Sequence, residues 1–146
     1  MPAMDREAVM TALFDLTVTA AGFRSTGRKL LHWSQISGGQ PALYVVDAEE
    51  ELPASSENMP RTSTMAAELW IYTQGKERPD GSSPKALNAL LDAIETTLAP
   101  DPITGLQTLG GAVHHCWIEG RIDKAPGHYP ENQAVAVIPI VMMVPR

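Results

Sequence analysis

The chain of 146 residues holds one cysteine, Cys116, and that scarcity closes several routes. No intrachain disulfide can form, and metal sites built on two or four thiolates are excluded. A lone thiol suits a reducing compartment, so the expected location is the cytoplasm of the producing cell. Basic residues are also few: 11 Lys and Arg stand against 17 Asp and Glu, for a formal net charge of -6. Phosphate neutralisation needs a cationic face, so non-specific nucleic-acid binding has no basis here. Long hydrophobic runs are missing. The strongest, Ala134 to Val144, has about half the length of a membrane-spanning helix and contains Pro139. The opening residues Met1 to Met10 carry Asp5 and Glu7 and show no signal-peptide pattern, and no membrane association is expected.

What is present suits a folded domain. Hydrophobic residues make up 44% and charged residues 19%, within the globular range. The length predicts one domain over residues 1–146, able to bury about 70% of its unfolded surface without metals or cross-links.

Periodicity assigns the elements. Val9, Leu13, Leu16 and Ala20 share a helical face from Asp5 to about Ala21; Asp5 and Glu7 suit its positive end, and Gly22 is a natural stop. Thr17, Val18 and Thr19 make the last turn weak. Phe23 to Trp33 reads as a strand, followed by a Ser37–Pro41 loop and a short strand from Ala42 to Asp47. Ala48 to Met59 contains Glu49, Glu50, Glu51, Glu57 and Pro53 without periodicity, and predicts the long arm of a hairpin. Arg61 to Thr73 alternates as a strand, and Gln74 to Ser82 is a second exposed loop. Ser83 and Pro84 open a helix whose Leu87, Leu90, Leu91, Ile94 and Leu98 form one stripe, ended by Pro100 and Pro102. Ala112 to Lys124 reads as a strand in which Gly120 marks a bulge or a close backbone approach. Gln133 to Val144 is the last strand, at an edge or interrupted at Pro139. The order α-β-β-β-α-β-β predicts a two-layer α+β domain, a mainly antiparallel sheet covered by two amphipathic helices.

Candidate chemistry is sparse. His114, His115 and Cys116 offer imidazole and thiolate, the start of a zinc site or a Cys/His nucleophile. Neighbours on a strand diverge to opposite faces, and His32 and His128 are isolated, so a structural strand is the better reading. Asp92 and Glu95 lie opposite the leucine stripe and read as a solvated face rather than an acid/base pair. Gly38-Gly39 and Gly110-Gly111 lack the context of a phosphate loop. The run Glu49-Glu50-Glu51 lacks the offsets and glycine of a calcium loop. No cofactor is implied. Trp33, Trp70 and Trp117 lie on or beside strands, as core residues or interface residues.

Several stretches carry a resemblance. They are Leu87-Asn88-Ala89-Leu90-Leu91-Asp92-Ala93-Ile94-Glu95, Leu98-Ala99-Pro100-Asp101-Pro102-Ile103-Thr104-Gly105, Gln107-Thr108-Leu109-Gly110-Gly111, His115-Cys116-Trp117-Ile118-Glu119-Gly120 and Gln133-Ala134-Val135-Ala136-Val137-Ile138-Pro139-Ile140. With the opening helix and Arg28-Lys29-Leu30-Leu31-His32-Trp33, they resemble the tail terminator, or tail completion, proteins of long-tailed bacteriophages (minor tail protein U-like). The resemblance spans about Met4 to Pro145 and contains no catalytic signature. It implies an antiparallel sheet flanked by helices and a structural rather than enzymatic role in the virion. It implies a ring of identical copies, typically a hexamer, on the head-proximal end of the tail tube. The implied partners are the tail tube protein and the neck or head–tail connector proteins, with genomic DNA only passing through the lumen. Glu49, Glu50, Glu51, Glu57, Arg61, Lys76 and Arg78, all in long exposed loops, are the expected interaction residues. A neck or connector protein is the nearest alternative role; a small metal- or thiol-dependent enzyme around Cys116 is the alternative of another class. A monomeric cytoplasmic ligand-binding protein with one deep pocket is a third reading.

Overall fold

The computed structural model describes residues 5–52, 62–74, 82–126 and 133–145. The first helix, α1, covers Arg6–Thr17, and Asp5 caps it by accepting the N–H of Ala8 at 3.0 Å. Val9, Met10 and Leu13 form its buried stripe. The helix ends within the β-branched run Thr17-Val18-Thr19, and the Thr17 hydroxyl folds back onto the Leu13 carbonyl at 2.8 Å. Gly22 therefore lies beyond the stop instead of making it. The second helix, α2, covers Ser82–Thr97 and buries Leu87, Leu91, Ile94 and Leu98 against the sheet.

Six strands form one sheet: β1 (Ser25–Gly27), β2 (Ala42–Glu51), β3 (Thr62–Gln74), β4 (His115–Ile118), β5 (Asp123–Pro126) and β6 (Gln133–Pro145). The strand order is β1-β2-β3-β6-β4, with β5 following β4 along the same side of β6. All pairs are antiparallel except β1 with β2. The fold is α+β as expected, with one strand more than the sequence order predicted.

Three local expectations are corrected. The strand expected from Phe23 to Trp33 shrinks to the three residues of β1. Beyond it the chain leaves the ladder, and Leu31, Trp33 and Ile36 pack on the sheet face that the helices leave bare. A 3-10 turn, Trp33–Gln35, anchors that crossing, with His32 and Gln35 capping each other's backbone. Second, β2 continues through Glu51, so Ala48 to Glu51 are strand rather than loop. A register shift between Asp47 and Glu50 admits one extra residue on β2. Third, the strand expected from Ala112 to Lys124 is two strands, broken around Gly120.

That break follows from Pro139. β6 is central, not an edge, and pairs with β3 along its whole length. On its other side the ladder runs from Ile118–Ile140 to Asp123–Val137 and skips Pro139. The Pro139 carbonyl accepts the Glu119 N–H at 3.3 Å, so its nitrogen, which has no proton, faces the same gap. Gly120 covers the ring with φ at 109°; a Cβ there would stand 3.5 Å from the proline Cγ. The expected close approach at Gly120 is thus observed.

The core lies between helices and sheet. Leu43, Val45, Leu69, Ile71, Ile138, Ile140 and Met142 meet α1 and α2 there. A smaller cluster, Ala42, Tyr44, Tyr72 and Val135, fills the opposite face beneath the 28–41 crossing. The Tyr72 hydroxyl donates to the Leu31 carbonyl at 2.8 Å. Gln40 and Gln133 exchange reciprocal amide bonds at 2.9 Å, and Gln133 also donates to the Thr73 and Ala134 carbonyls.

Candidate assembly surfaces

The histidine–cysteine run comes first because it is the one candidate for bond-making chemistry. Strand alternation separates its members, as expected. Cys116 points into the core opposite Met142 and is 1% exposed. Burial pushes its thiol up to about 12, which keeps it protonated and a poor nucleophile. His115 lies on the other face, stacked on Trp117 at 5.0 Å, and its Nδ1 accepts the Gln107 N–H at 3.1 Å. His114 is exposed. His32 lies against Trp33, ring centroids 3.8 Å apart and planes tilted by 34°, across the sheet from α1. His128 falls outside the described residues. Among the described residues no three His, Cys, Asp or Glu side chains converge to hold a metal ion.

The acidic segment divides by partner. Glu50 turns toward α1, where Arg6 Nε reaches it at 2.6 Å. Arg28 bridges Glu7 of α1 at 2.7 Å and Asp47 of β2 at 2.9 Å. Desolvation opposes the charge of Arg28, but the bonds to Glu7 and Asp47 outweigh it and hold the guanidinium above its usual value. Glu49 and Glu51 meet no cation among the described residues. Because β1 pairs only with Ala42, Leu43 and Tyr44, the outer part of β2 is a free sheet edge among the described residues. Charges on such an edge block indiscriminate strand addition. The expected interaction residues Glu49, Glu50 and Glu51 thus stand on a strand end and not in a loop. Glu57, Arg61, Lys76 and Arg78 lie outside the described residues.

The second face of the sheet carries the tryptophans. Trp33, Trp70 and Trp117 are all half-buried on it, and Trp70 and Trp33 flank Tyr72 at 6.5 and 6.3 Å. Beyond the aromatic cluster, Ala66, Val137, Pro139, Val141 and Met143 continue the face toward Trp117 without a covering element among the described residues. Among the described residues no helix is long and apolar enough to cross a membrane.

Two further features escaped sequence reasoning. A cleft of about 610 Å³ lies beside β1, between Arg24, Lys29, Leu31, Ile36 and Tyr44. At the far side of the sheet, the 100–106 loop holds Ile103 93% exposed. The Asp101-Pro102-Ile103-Thr104-Gly105 wording marks a turn, but nothing in it marks an unpacked isoleucine.

Comparison with known proteins identifies the architecture. Neither a protein-family model nor a curated protein matches the sequence. Among solved structures, a chain in the virion of a native gene transfer agent particle superposes with a TM-score of 0.56 at 9% identity. The match covers 94% of this chain and 95% of that one. The two chains share a fold.

Proposed function

We propose that this chain is a structural virion protein, which forms a homo-oligomeric ring on the head-proximal end of a phage-type tail tube, ends tube polymerisation and offers a surface to the head. The observation that carries the reading is the end-to-end fold match with a chain of a gene transfer agent virion. The wording of the sequence, which resembles tail terminators, supports the finer role. The architecture suits it: a rigid sheet with one face sealed by helices and one face partly bare, and charges concentrated on a free edge. We take the chain to act without catalysis, because its one thiol is buried and protonated and His115 lies on the opposite face of the strand from it.

The test is imaging of tails assembled with and without the protein. Overlong, irregular tubes in its absence are expected. Tubes of normal length that fail to join heads would assign it to the neck instead, and normal, joined particles would overturn the reading.

A further inference from the structure

The 100–106 loop is built more firmly than a connection requires. Asp101 Oδ1 accepts the N–H groups of Ile103 at 2.7 Å and Thr104 at 3.2 Å. The Asp101 carbonyl takes the Gly105 N–H at 2.8 Å, and the Asp101 N–H closes on the Leu106 carbonyl at 2.9 Å. The Gln107 amide ties the loop's exit to Ala99, and the Gln107 carbonyl takes the Cys116 N–H of edge strand β4. The result is a preorganised turn with an apolar tip. None of these bonds uses the Ile103 side chain, and Leu106 beside it is 43% exposed. Burying an isoleucine is worth about 1.5–3 kcal/mol, and a locked loop loses little entropy on docking.

At the other end of the sheet, the cleft beside β1 has an apolar floor of Leu31, Ile36 and Tyr44. Its rim carries Arg24 and Lys29, which meet no carboxylate among the described residues. The loop's surroundings are opposite in sign. Glu95 of α2, Asp101 and Glu119 are exposed and have no cation partner among the described residues. Arg121 is exposed on the β4–β5 connection, one cation against three carboxylates.

We propose that the cleft beside β1 receives the 100–106 loop of a second copy of this chain, with Ile103 as the apolar plug and Arg24 and Lys29 facing the neighbour's carboxylates. The occupant is a second copy because plug and socket sit at opposite ends of one sheet, an apolar tip for an apolar floor, with opposite charge around each. Such a contact is heterologous: each copy gives its loop to one neighbour and its cleft to the other, and a constant rotation closes the series into a ring. This rests on the ring reading above and specifies its interface.

Site-specific cross-linking tests it. Thr26 on the cleft wall and Pro102 beside the plug are both exposed, so Thr26→Cys and Pro102→Cys leave the core and Ile103 untouched. Native Cys116 is buried and protonated and stays silent. Under oxidation over a rising concentration series, the double variant is expected to give a ladder of covalent oligomers, while each single variant stays monomeric. A dimer from Pro102→Cys alone, or no ladder from the double variant, overturns the proposal. Arg24→Glu with Lys29→Glu is expected to weaken self-association roughly tenfold, and adding Glu95→Lys to recover part of it. Unchanged association of the charge variant also overturns the proposal. Rings that persist in sedimentation without the ladder would sink this interface and leave the ring reading standing.

Discussion

Single residues here are decided by which side of the sheet they occupy. Cys116 has the neighbours a reactive thiol would want in sequence and the surroundings it would avoid in space. Native protein is expected to resist alkylation at pH 8 and to react once unfolded, which a thiol titration reads directly. The same burial links stability to pH. The folded thiol titrates near 12 and the unfolded one near 9.0, so its contribution is complete below the lower value and lost as pH rises through the upper. Ser63 is buried on the helix side, and its hydroxyl has no partner among the described residues. Removing an unsatisfied hydroxyl relieves a desolvation cost, so Ser63→Ala is expected to raise stability by about 1 kcal/mol in denaturant titrations. Gly120 is the reverse case. A side chain at its positive φ is strained, and Gly120→Ala is expected to destabilise by about 1–3 kcal/mol.

At the scale of elements, the crossing from Arg28 to Pro41 decides the architecture of the second face. It is held by the Arg28 ion pairs at its start, the Tyr72 hydroxyl to Leu31, the Ser25 hydroxyl to the Gly39 carbonyl, the Gln40–Gln133 amide pair, and the packing of Trp33 and Ile36. Gln133 serves four of these polar contacts from a buried position, two with Gln40 and two with carbonyls. Gln133→Ala removes all four contacts and leaves the part-buried Gln40 amide without its partner, and is expected to cost about 1–3 kcal/mol. Hydrogen exchange should then rise in the 28–41 segment before it rises in α2. Equal protection throughout would show that packing alone holds the crossing. Helix α1 is tied to the sheet edge by Arg6–Glu50 and by Arg28, but exposed pairs of this kind add little, and the Val9, Met10 and Leu13 stripe does more.

For the molecule as a whole, one core joins both helices to four of the six strands, β2, β3, β4 and β6, so the parts have little independent stability. Unfolding is expected as one cooperative step. Tryptophan fluorescence, which reports the second face, and far-ultraviolet dichroism, which reports helices and sheet, should give coincident transitions. Two separated transitions would mean that the second-face cluster melts alone. Assembly belongs to this scale too. If unlike charges at opposite ends of the sheet steer copies together, self-association should weaken as salt rises, and salt-independent sedimentation would count against it.

Much of this was readable before the fold was known, and the reason differs by element. The leucine stripe of α2 and the apolar face of α1 are local: 3.6-residue periodicity states them, and their caps and terminators act within a turn. The alternation in β3 and β6 is equally local, as are the proline and glycine that break β4 from β5. Composition alone excluded disulfide and thiolate-cluster chemistry. What the tertiary structure decided depends on residues far apart in the chain. That Ala48–Glu51 is strand rests on partners in β3, because a run of glutamates has no strand propensity of its own. That Phe23–Trp33 is mostly not strand follows from the bare sheet face, which takes Leu31, Trp33 and Ile36 away from a ladder. That Pro139 sits mid-sheet follows from β4 and β5 dividing around it. The pairing of cleft and loop across the sheet is likewise a matter of strand order, which no local pattern encodes, since periodicity fixes the face a side chain takes and not the neighbour it meets.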